Sequence, residues 1–289
     1  MNENKYNNQV TVVAVSFYSD KIVEKFINSI DKNIKILIVE NSLNLKMKEL
    51  IEKKFRNVSI IIPQKNLGNG GGINLGLKNV KTEFALYLDI DAIASKNMID
   101  VLLEYSKKIK DYAILAPKDH NHIYTQELYK NFNKEDRFHK MNFITGCAMF
   151  LKMDALKTVG HFDENIFLYY EETDLYFRCH KANLGIYLID EAKFTHIGSS
   201  SIDKKYHDQI IINRNWHFCW SKFYYFKKNY NYFYGLKKTL PNLLRSIKRY
   251  LLFSLKGKHE IANQHKAEIK GLISSYMLRK SYFRPKIKP

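Results

Sequence analysis

Residues 84–92 read Phe84-Ala85-Leu86-Tyr87-Leu88-Asp89-Ile90-Asp91-Ala92 (FALYLDIDA). The apolar run FALYL reads as a buried strand, and two carboxylates follow where the chain leaves it. Working upstream, the same texture recurs in Val10 to Phe17 (VTVVAVSF), Ile34 to Val39 (IKILIV) and Ser59 to Ile62 (SIII). Helical patterns lie between and after these runs. Lys21 to Ile30 carries Ile22, Val23, Phe26, Ile27 and Ile30 at helix spacing, and Leu45 to Phe55 and Met98 to Ile109 behave similarly. The alternation predicts an α/β fold with a mainly parallel sheet between helices. In such sheets ligands bind at the carboxyl ends of the strands, which is where the unusual residues of this sequence fall.

The chain has 289 residues, 45% of them hydrophobic, enough for one large domain plus an appended segment. Cys147, Cys179 and Cys219 are too few and too scattered for a disulfide framework, and no CxxC spacing suggests structural zinc. A reducing, cytosolic setting is expected. The start, MNENKYNNQ, has no apolar core of a secretory signal, and no run approaches the roughly 18 apolar residues of a spanning helix. The net charge of +18 is unevenly placed: from Asp203 to Pro289 there are 20 Lys plus Arg against 4 Asp plus Glu. Such a block attracts phosphates, whether of lipid head groups, nucleic acid or a polyphosphate substrate.

Four constellations carry chemistry. Asp89 and Asp91, at i and i+2 after a strand, can turn toward one ligand, and hard divalent cations use such carboxylates to hold a diphosphate. Asn66 to Gly76 (NLGNGGGINLG) follows the strand SIII; its glycines allow close backbone approach, and a helix starting near Gly72 would offer free N–H groups. The dinucleotide fingerprint GxGxxG fails there, because Ile73 stands where the third glycine belongs. Glu171, Glu172 and Asp174 crowd together among aromatics in Phe167 to Leu175; acids so placed have raised pKa values, which suits a general base. His196 ends a strand and enters a Gly/Ser loop (Gly198 to Ser201), where it could serve as a nitrogen ligand.

Taken together these pieces resemble the inverting family 2 glycosyltransferases of the GT-A fold, most closely the rhamnosyltransferase-like branch. The resemblance covers roughly residues 9 to 215 and rests on ordered motifs: VAVSFYS, VENS, NLGNGGGINLG, LDIDA, ITGCAMFLK, GHFDENIFLYYEETDLYFR and FTHIGSSS. It implies a GT-A nucleotide-diphospho-sugar transferase domain over residues 1–203 and a basic, aromatic helical extension over 204–289. It also implies roles. Ser16, Phe17, Glu40 and Asn41 would border the nucleotide base and ribose. The Asn66 to Gly76 loop, with Gly70 and Gly71, would shape the donor site. Asp89 and Asp91 would bind Mg²⁺ or Mn²⁺ against the diphosphate of a dTDP- or UDP-sugar, with His196 as a further ligand. The pair Glu171-Glu172 falls on the acidic motif that supplies the base, and either could be it; Asp174 would support them. The family commonly has Asp at position 40 and Glu-Asp at 171–172, so the reach of these carboxylates differs here by a methylene.

The implied reaction moves rhamnose or a hexose to an acceptor hydroxyl with inversion, in surface polysaccharide synthesis (O-antigen or capsule) on a glycan that a lipid carrier could hold. The C-terminal third then has two readings. Its aromatics complete a helical cap, or they form a peripheral membrane surface at the inner face of the cytoplasmic membrane, with Tyr and Trp at the interface and Lys and Arg on anionic head groups. Its second helical stretch starts near Pro241, a first-turn position, and carries the stripe Leu240, Leu243, Leu244, Ile247, Tyr250 and Leu251. No RNP-like or helix-turn-helix signature supports nucleic-acid binding. A non-catalytic module binding nucleotide-sugar or lipid carrier is the rival, and the joint presence of Asp89, Asp91, Glu171, Glu172 and His196 argues against it.

Overall fold

The computed structural model describes residues 9–120, 137–197 and 207–284. The loop Gly198 to Ser201, part of the FTHIGSSS motif, and the boundary near residue 203 lie outside them. The described residues within Met1–Leu67, Gly72–Phe162 and Leu175–Ser201 form one compact unit. Those within Gly68–Gly71, Asp163–Asp174 and Ile202–Pro289 form a second.

The first unit is built on β1 (Val10–Ser16), β2 (Lys35–Glu40), β3 (Val58–Ile61), β4 (Phe84–Leu88), β5 (Ala92–Ala94), β6 (Tyr112–Asp119), β7 (Phe138–Lys140), β8 (Ala148–Lys152) and β9 (Gly185–His196). Its helices are α1 (Val23–Asn28), α2 (Leu45–Lys54), α3 (Gly68–Leu77), α4 (Met98–Lys108), α5 (Met153–Val159) and α6 (Glu171–Lys181); the first residues of α3 and α6 belong to the second unit. The strands join in the order β3-β2-β1-β4-β8-β6-β9-β5, with β7 also paired to β9. Pairs β3/β2, β2/β1, β1/β4 and β6/β9 are parallel; β8 enters antiparallel between β4 and β6.

Both faces of the sheet are covered, which is why its strands read as continuous apolar runs. Along β1, Val12 and Ala14 face one core with Leu86, Leu88 and Phe26, while Val13 faces the other with Ala85, Tyr87 and Ile73. The period-2 alternation thus serves two cores, and a fully buried aliphatic such as Leu86 contributes about 1.5–3 kcal/mol. Truncating it to alanine would cost about 2–5 kcal/mol, since a cavity adds to the lost transfer energy. The parallel register sets Ser16 beside Glu40, so the ends of β1 and β2 lie together.

The second unit contains α7 (His207–Asn229), α8 (Tyr232–Leu255) and α9 (His259–Tyr276). Two expectations fail in it. Helix α8 does not begin at Pro241 but runs through it, capped at its true start by the Asn231 side chain, which accepts from the Tyr234 N–H. The ring removes one N–H, yet packing of Tyr232, Leu236 and Leu243 against Phe223 and Leu272 carries the helix across. Second, Trp216 (1% exposed) and Trp220 (2%) are buried, not placed at a surface. Gly271 of α9 explains how closely they are enclosed: a Cβ there would lie 2.3 Å from the Trp216 carbonyl oxygen. The Trp220 indole donates to the Arg279 carbonyl at 3.0 Å.

Candidate functional site

In the first unit, Asp89 leaves β4 in a turn: its N–H bonds the Cys147 carbonyl (2.8 Å), and its own carbonyl accepts from the Ala92 N–H (2.9 Å). The Tyr87 hydroxyl donates to Asp89 Oδ1, fixing that carboxylate. Strand β5 then pairs with β9 so that Ala92 stands opposite His196, and the Ile197 N–H reaches the Asp91 carbonyl at 2.9 Å. This pairing brings together residues 105 apart in sequence: His196 Nε2 lies 3.0 Å from Asp91 Oδ1. One ligand atom each from Asp89, Asp91 and His196 fall within 4.8 Å of one another, and all three residues are half-buried. Two carboxylates and an imidazole suit Mg²⁺ or Mn²⁺, and the nitrogen is more at home with the latter.

The hydrogen bond to Asp91 raises the His196 pKa; desolvation opposes it, and the charges of Asp91, Asp89 and Asp119 add to it. Asp119, buried at the end of β6, was not singled out by any motif; its Oδ1 accepts from the His196 N–H at 3.2 Å. Burial, reinforced by the Asp89 charge, pushes the Cys147 thiol far up, so no thiolate competes in this cluster.

The expected nucleotide-bordering residues Ser16, Glu40 and Asn41 also meet in this unit. The Asn41 N–H bonds the Ser16 carbonyl (2.8 Å), and Asn41 Oδ1 accepts from the Leu67 N–H (3.2 Å). Glu40 is buried and accepts from the Ser42 N–H (3.1 Å), the Ser42 hydroxyl and the Asn44 N–H (2.7 Å), which fixes the turn into α2. Phe17 is half-buried and follows Ser16 directly; its N–H reaches Ser19 Oγ at 3.3 Å. Asn66 is half-buried just before α3. Gly72 lets α3 approach: a Cβ there would sit 3.0 Å from both Val15 methyls and 3.2 Å from Asn41 Nδ2.

In the second unit the helix start is corrected. Helix α3 begins at Gly68, not Gly72, so Gly70 and Gly71 lie buried in its first turn. The cause is the Phe167 carbonyl, which accepts the Asn69 N–H at 2.8 Å. Gly68 has φ +78°, and a Cβ there would fall 2.2 Å from that same oxygen.

The Asn69 amide donates to Glu171 Oε1 at 2.7 Å, so the glycine loop and the acidic segment are one construction. Two consecutive tyrosines, Tyr169 (φ 64°) and Tyr170 (φ 69°), hold left-handed backbone just before Glu171. Such positions cost about 1–3 kcal/mol each for a residue with a Cβ and collect at functional sites. They set Glu171, Glu172 and Asp174 in the first turn of α6, where the helix dipole favours acids.

These acids are treated differently. Glu171 and Asp174 are buried. Asp174 takes Lys228 Nζ at 2.8 Å and Asn229 Nδ2 at 3.0 Å, and its N–H bonds the Tyr170 carbonyl. Lys228 also reaches Asp163 Oδ2 at 2.8 Å, beside the Tyr224 hydroxyl at 3.0 Å. Burial works to raise the Asp163 pKa, but Lys228 and Asn165 outweigh it and the net shift is downward. Glu172 is half-buried by area yet surrounded by protein; its pKa is raised by desolvation, only partly offset by its own N–H and by the hydroxyl (3.2 Å) and N–H of Thr173. Sequence reasoning missed Lys228 and Asp119, because a Lys in a KKN run and an Asp at a strand's end carry no motif; Asn69 lay inside the Asn66 to Gly76 motif but carried no role of its own.

The sequence model of a family described as "Glycosyl transferase family 2" matches residues 11–160. An uncharacterized glycosyltransferase of Rickettsia typhi is 24% identical over 195 residues, covering 62% of this chain and 60% of its own. The low-salt glycan biosynthesis hexosyltransferase Agl10 of Haloferax volcanii is 21% identical over 197 residues, covering 61% of this chain and 63% of its own. The chain therefore spans about three fifths of the length of these curated relatives. Among solved structures, the mannosyltransferase PcManGT from Pyrobaculum calidifontis in complex with GDP-Man and Mn²⁺ superposes with TM-score 0.59 at 11% identity, covering 94% of this chain and 88% of that one. The S. aureus TarS 1-349 complex with UDP gives 0.53 at 14% identity, with 96% and 94% covered. The likeness in fold confirms the GT-A architecture with a C-terminal helical region.

Proposed function

The chain belongs to glycosyl transferase family 2, and from that premise we propose that it transfers rhamnose or a hexose from a nucleotide-diphosphate donor to an acceptor hydroxyl with inversion. The observation that carries the reading is the convergence of Asp89, Asp91 and His196 within 4.8 Å at strand ends. Asp89, Asp91 and His196 would hold Mg²⁺ or Mn²⁺, with Tyr87 and Asp119 steadying them. Such an ion, when bound, neutralises charge on the departing diphosphate. Ser16, Phe17, Glu40, Asn41, Asn66, Gly70 and Gly71 border the nucleotide, with Glu40 acting chiefly by shaping the β2–α2 turn.

Glu172 is our choice of base. Its raised pKa matches a group that must accept a proton near neutral pH, whereas Glu171 is buried against the Asn69 amide. Glu172 takes the acceptor hydroxyl proton, the oxygen attacks the anomeric carbon from the face opposite the diphosphate, and the C–O bond to the diphosphate breaks. Configuration inverts without a covalent enzyme intermediate. The GDP-Man and UDP complexes of the structural neighbours support a nucleotide-sugar donor, dTDP- or UDP-linked in our reading. The hexosyltransferase relative named for glycan biosynthesis supports a glycan acceptor; in our reading it is a surface polysaccharide (O-antigen or capsule) on a lipid carrier at the inner face of the cytoplasmic membrane.

The test is calorimetric titration of UDP, dTDP and GDP with and without Mn²⁺, on the wild type and Asp91→Asn. Metal-dependent binding of one nucleotide, lost in the variant, is expected. Absence of binding by all three would sink the reading. Binding without transfer to any acceptor would favour a non-catalytic module.

A further inference from the structure

Helix α8 turns its apolar stripe outward. Its buried residues are small or polar: Gly235, Thr239 and Ser246. Gly235 lies against the Phe223 ring, Thr239 bonds the Gly235 carbonyl and the Tyr276 hydroxyl, and Ser246 bonds Glu268. Leu236 and Leu243 are half-buried at the margin. Tyr232, Tyr234, Tyr250 and Phe253 are half-buried too, and Leu252 is exposed elsewhere on the helix, while six large residues, Phe233 (79% exposed), Leu240, Leu244 (60%), Ile247, Leu251 and Leu255 (88%), face solvent. At roughly 100° per residue these six fall within an arc of about 80°. Lys237, Lys248, Arg245, Lys238 and Arg249 occupy the adjoining arc on one side, and the helix contains no Asp or Glu.

A helix that packs only against protein buries its apolar stripe, and a solvated one does not carry six large apolar side chains in a row along its length. A continuous apolar stripe bordered by cations with no acid among them is complementary to one surface, an anionic lipid bilayer: alkyl chains accept the leucines, and phosphate head groups accept the lysines. No helix among the described residues is long and apolar enough to cross a membrane. We propose that α8 lies in the membrane interface and is the element that docks the protein onto anionic lipid. This assigns the contact to leucines of α8, not to the buried tryptophans of α7, and it rests on the membrane placement proposed above.

The experiment is vesicle co-sedimentation of the full chain, using phosphatidylcholine alone and phosphatidylcholine with phosphatidylglycerol. The wild type is expected to partition about tenfold or more better onto the anionic vesicles, with the preference falling as salt rises. Leu244→Asp/Leu251→Asp should weaken that binding at least about tenfold while leaving the melting temperature in place, because both side chains are exposed. Lys237→Gln/Lys248→Gln should erase the anionic preference and its salt dependence. Undiminished binding by the leucine variant, or a wild type that ignores both vesicles, overturns the proposal. So does a wild type that is dimeric in solution and becomes monomeric in the leucine variant, since a second copy then covers the stripe. Metal-dependent nucleotide binding, measured on the same variants, separates the two readings. Its absence from the wild type sinks the transfer reaction, whereas its presence with no vesicle binding sinks only the docking.

Discussion

Asp89 and Asp91 sit half-buried at strand ends, answered by a tyrosine hydroxyl and an imidazole, whereas Asp163 and Asp174 share the single ammonium of Lys228. The first set gathers oxygen and nitrogen donors around a common point. The second has its cation built in and spends its acids on fixing the loop that carries Glu171 and Glu172. The difference teaches that acid-rich segments cannot be sorted by composition. What sorts them is the group that answers each carboxylate, and that group lies far away in sequence.

The comparison breaks if the two clusters fail in the same assay. Glu172→Gln should lower kcat by about 10²–10⁴-fold while leaving metal-dependent nucleotide affinity unchanged; an equal loss in both would take Glu172 out of the base role. Asp91→Asn should do the reverse in binding, weakening nucleotide affinity in Mn²⁺ by about a hundredfold or more and leaving metal-free affinity alone. Lys228→Met should act on stability: it takes from two carboxylates the ammonium they share, at about 1–3 kcal/mol. That is below the range for a fully buried pair because part of the lysine side chain is exposed.

The smallest effect sharpens the comparison most. The folded-state pKa of Glu172 is raised, so the native state binds more protons than the unfolded chain between the ordinary glutamate value and the raised one. Stability from this group therefore falls as pH rises through that window and is recovered below it. Glu172→Gln should melt above the wild type at pH 7.5, with the gap closing as the pH falls toward the ordinary glutamate value. A variant that is less stable at both values would mean that Glu172 is a structural acid like Asp174.

Much of the sheet was legible because its strands are buried on both faces. FALYL matches β4 at both ends, and the other early strands agree within a residue or so. The DxD and His196 were legible as separate signals, but their meeting depends on the β5/β9 register, which no local pattern encodes. The insertion of β8 between β4 and β6 is equally non-local. The start of α3 was misread because glycines at 68, 70, 71 and 72 argue against helix by about 1 kcal/mol each, and the Phe167 carbonyl that overrides them is a hundred residues away. Tyr169 and Tyr170 favour extended backbone, so their left-handed conformation was invisible. The period of α8 was readable from its leucines; which way the stripe faced was not.

Gly68, Gly72 and Gly76 recur every fourth residue of α3, and a Cβ at each would strike something firm: the Phe167 carbonyl, the Val15 methyls, and Val13 at 2.4 Å. In a scan of every substitution this one helical face should therefore tolerate almost nothing, not even alanine at 68 or 76. Leu75, half-buried between Gly72 and Gly76, should accept many residues. Laboratory evolution toward a new donor would then find its usable variation beside this glycine column and not within it.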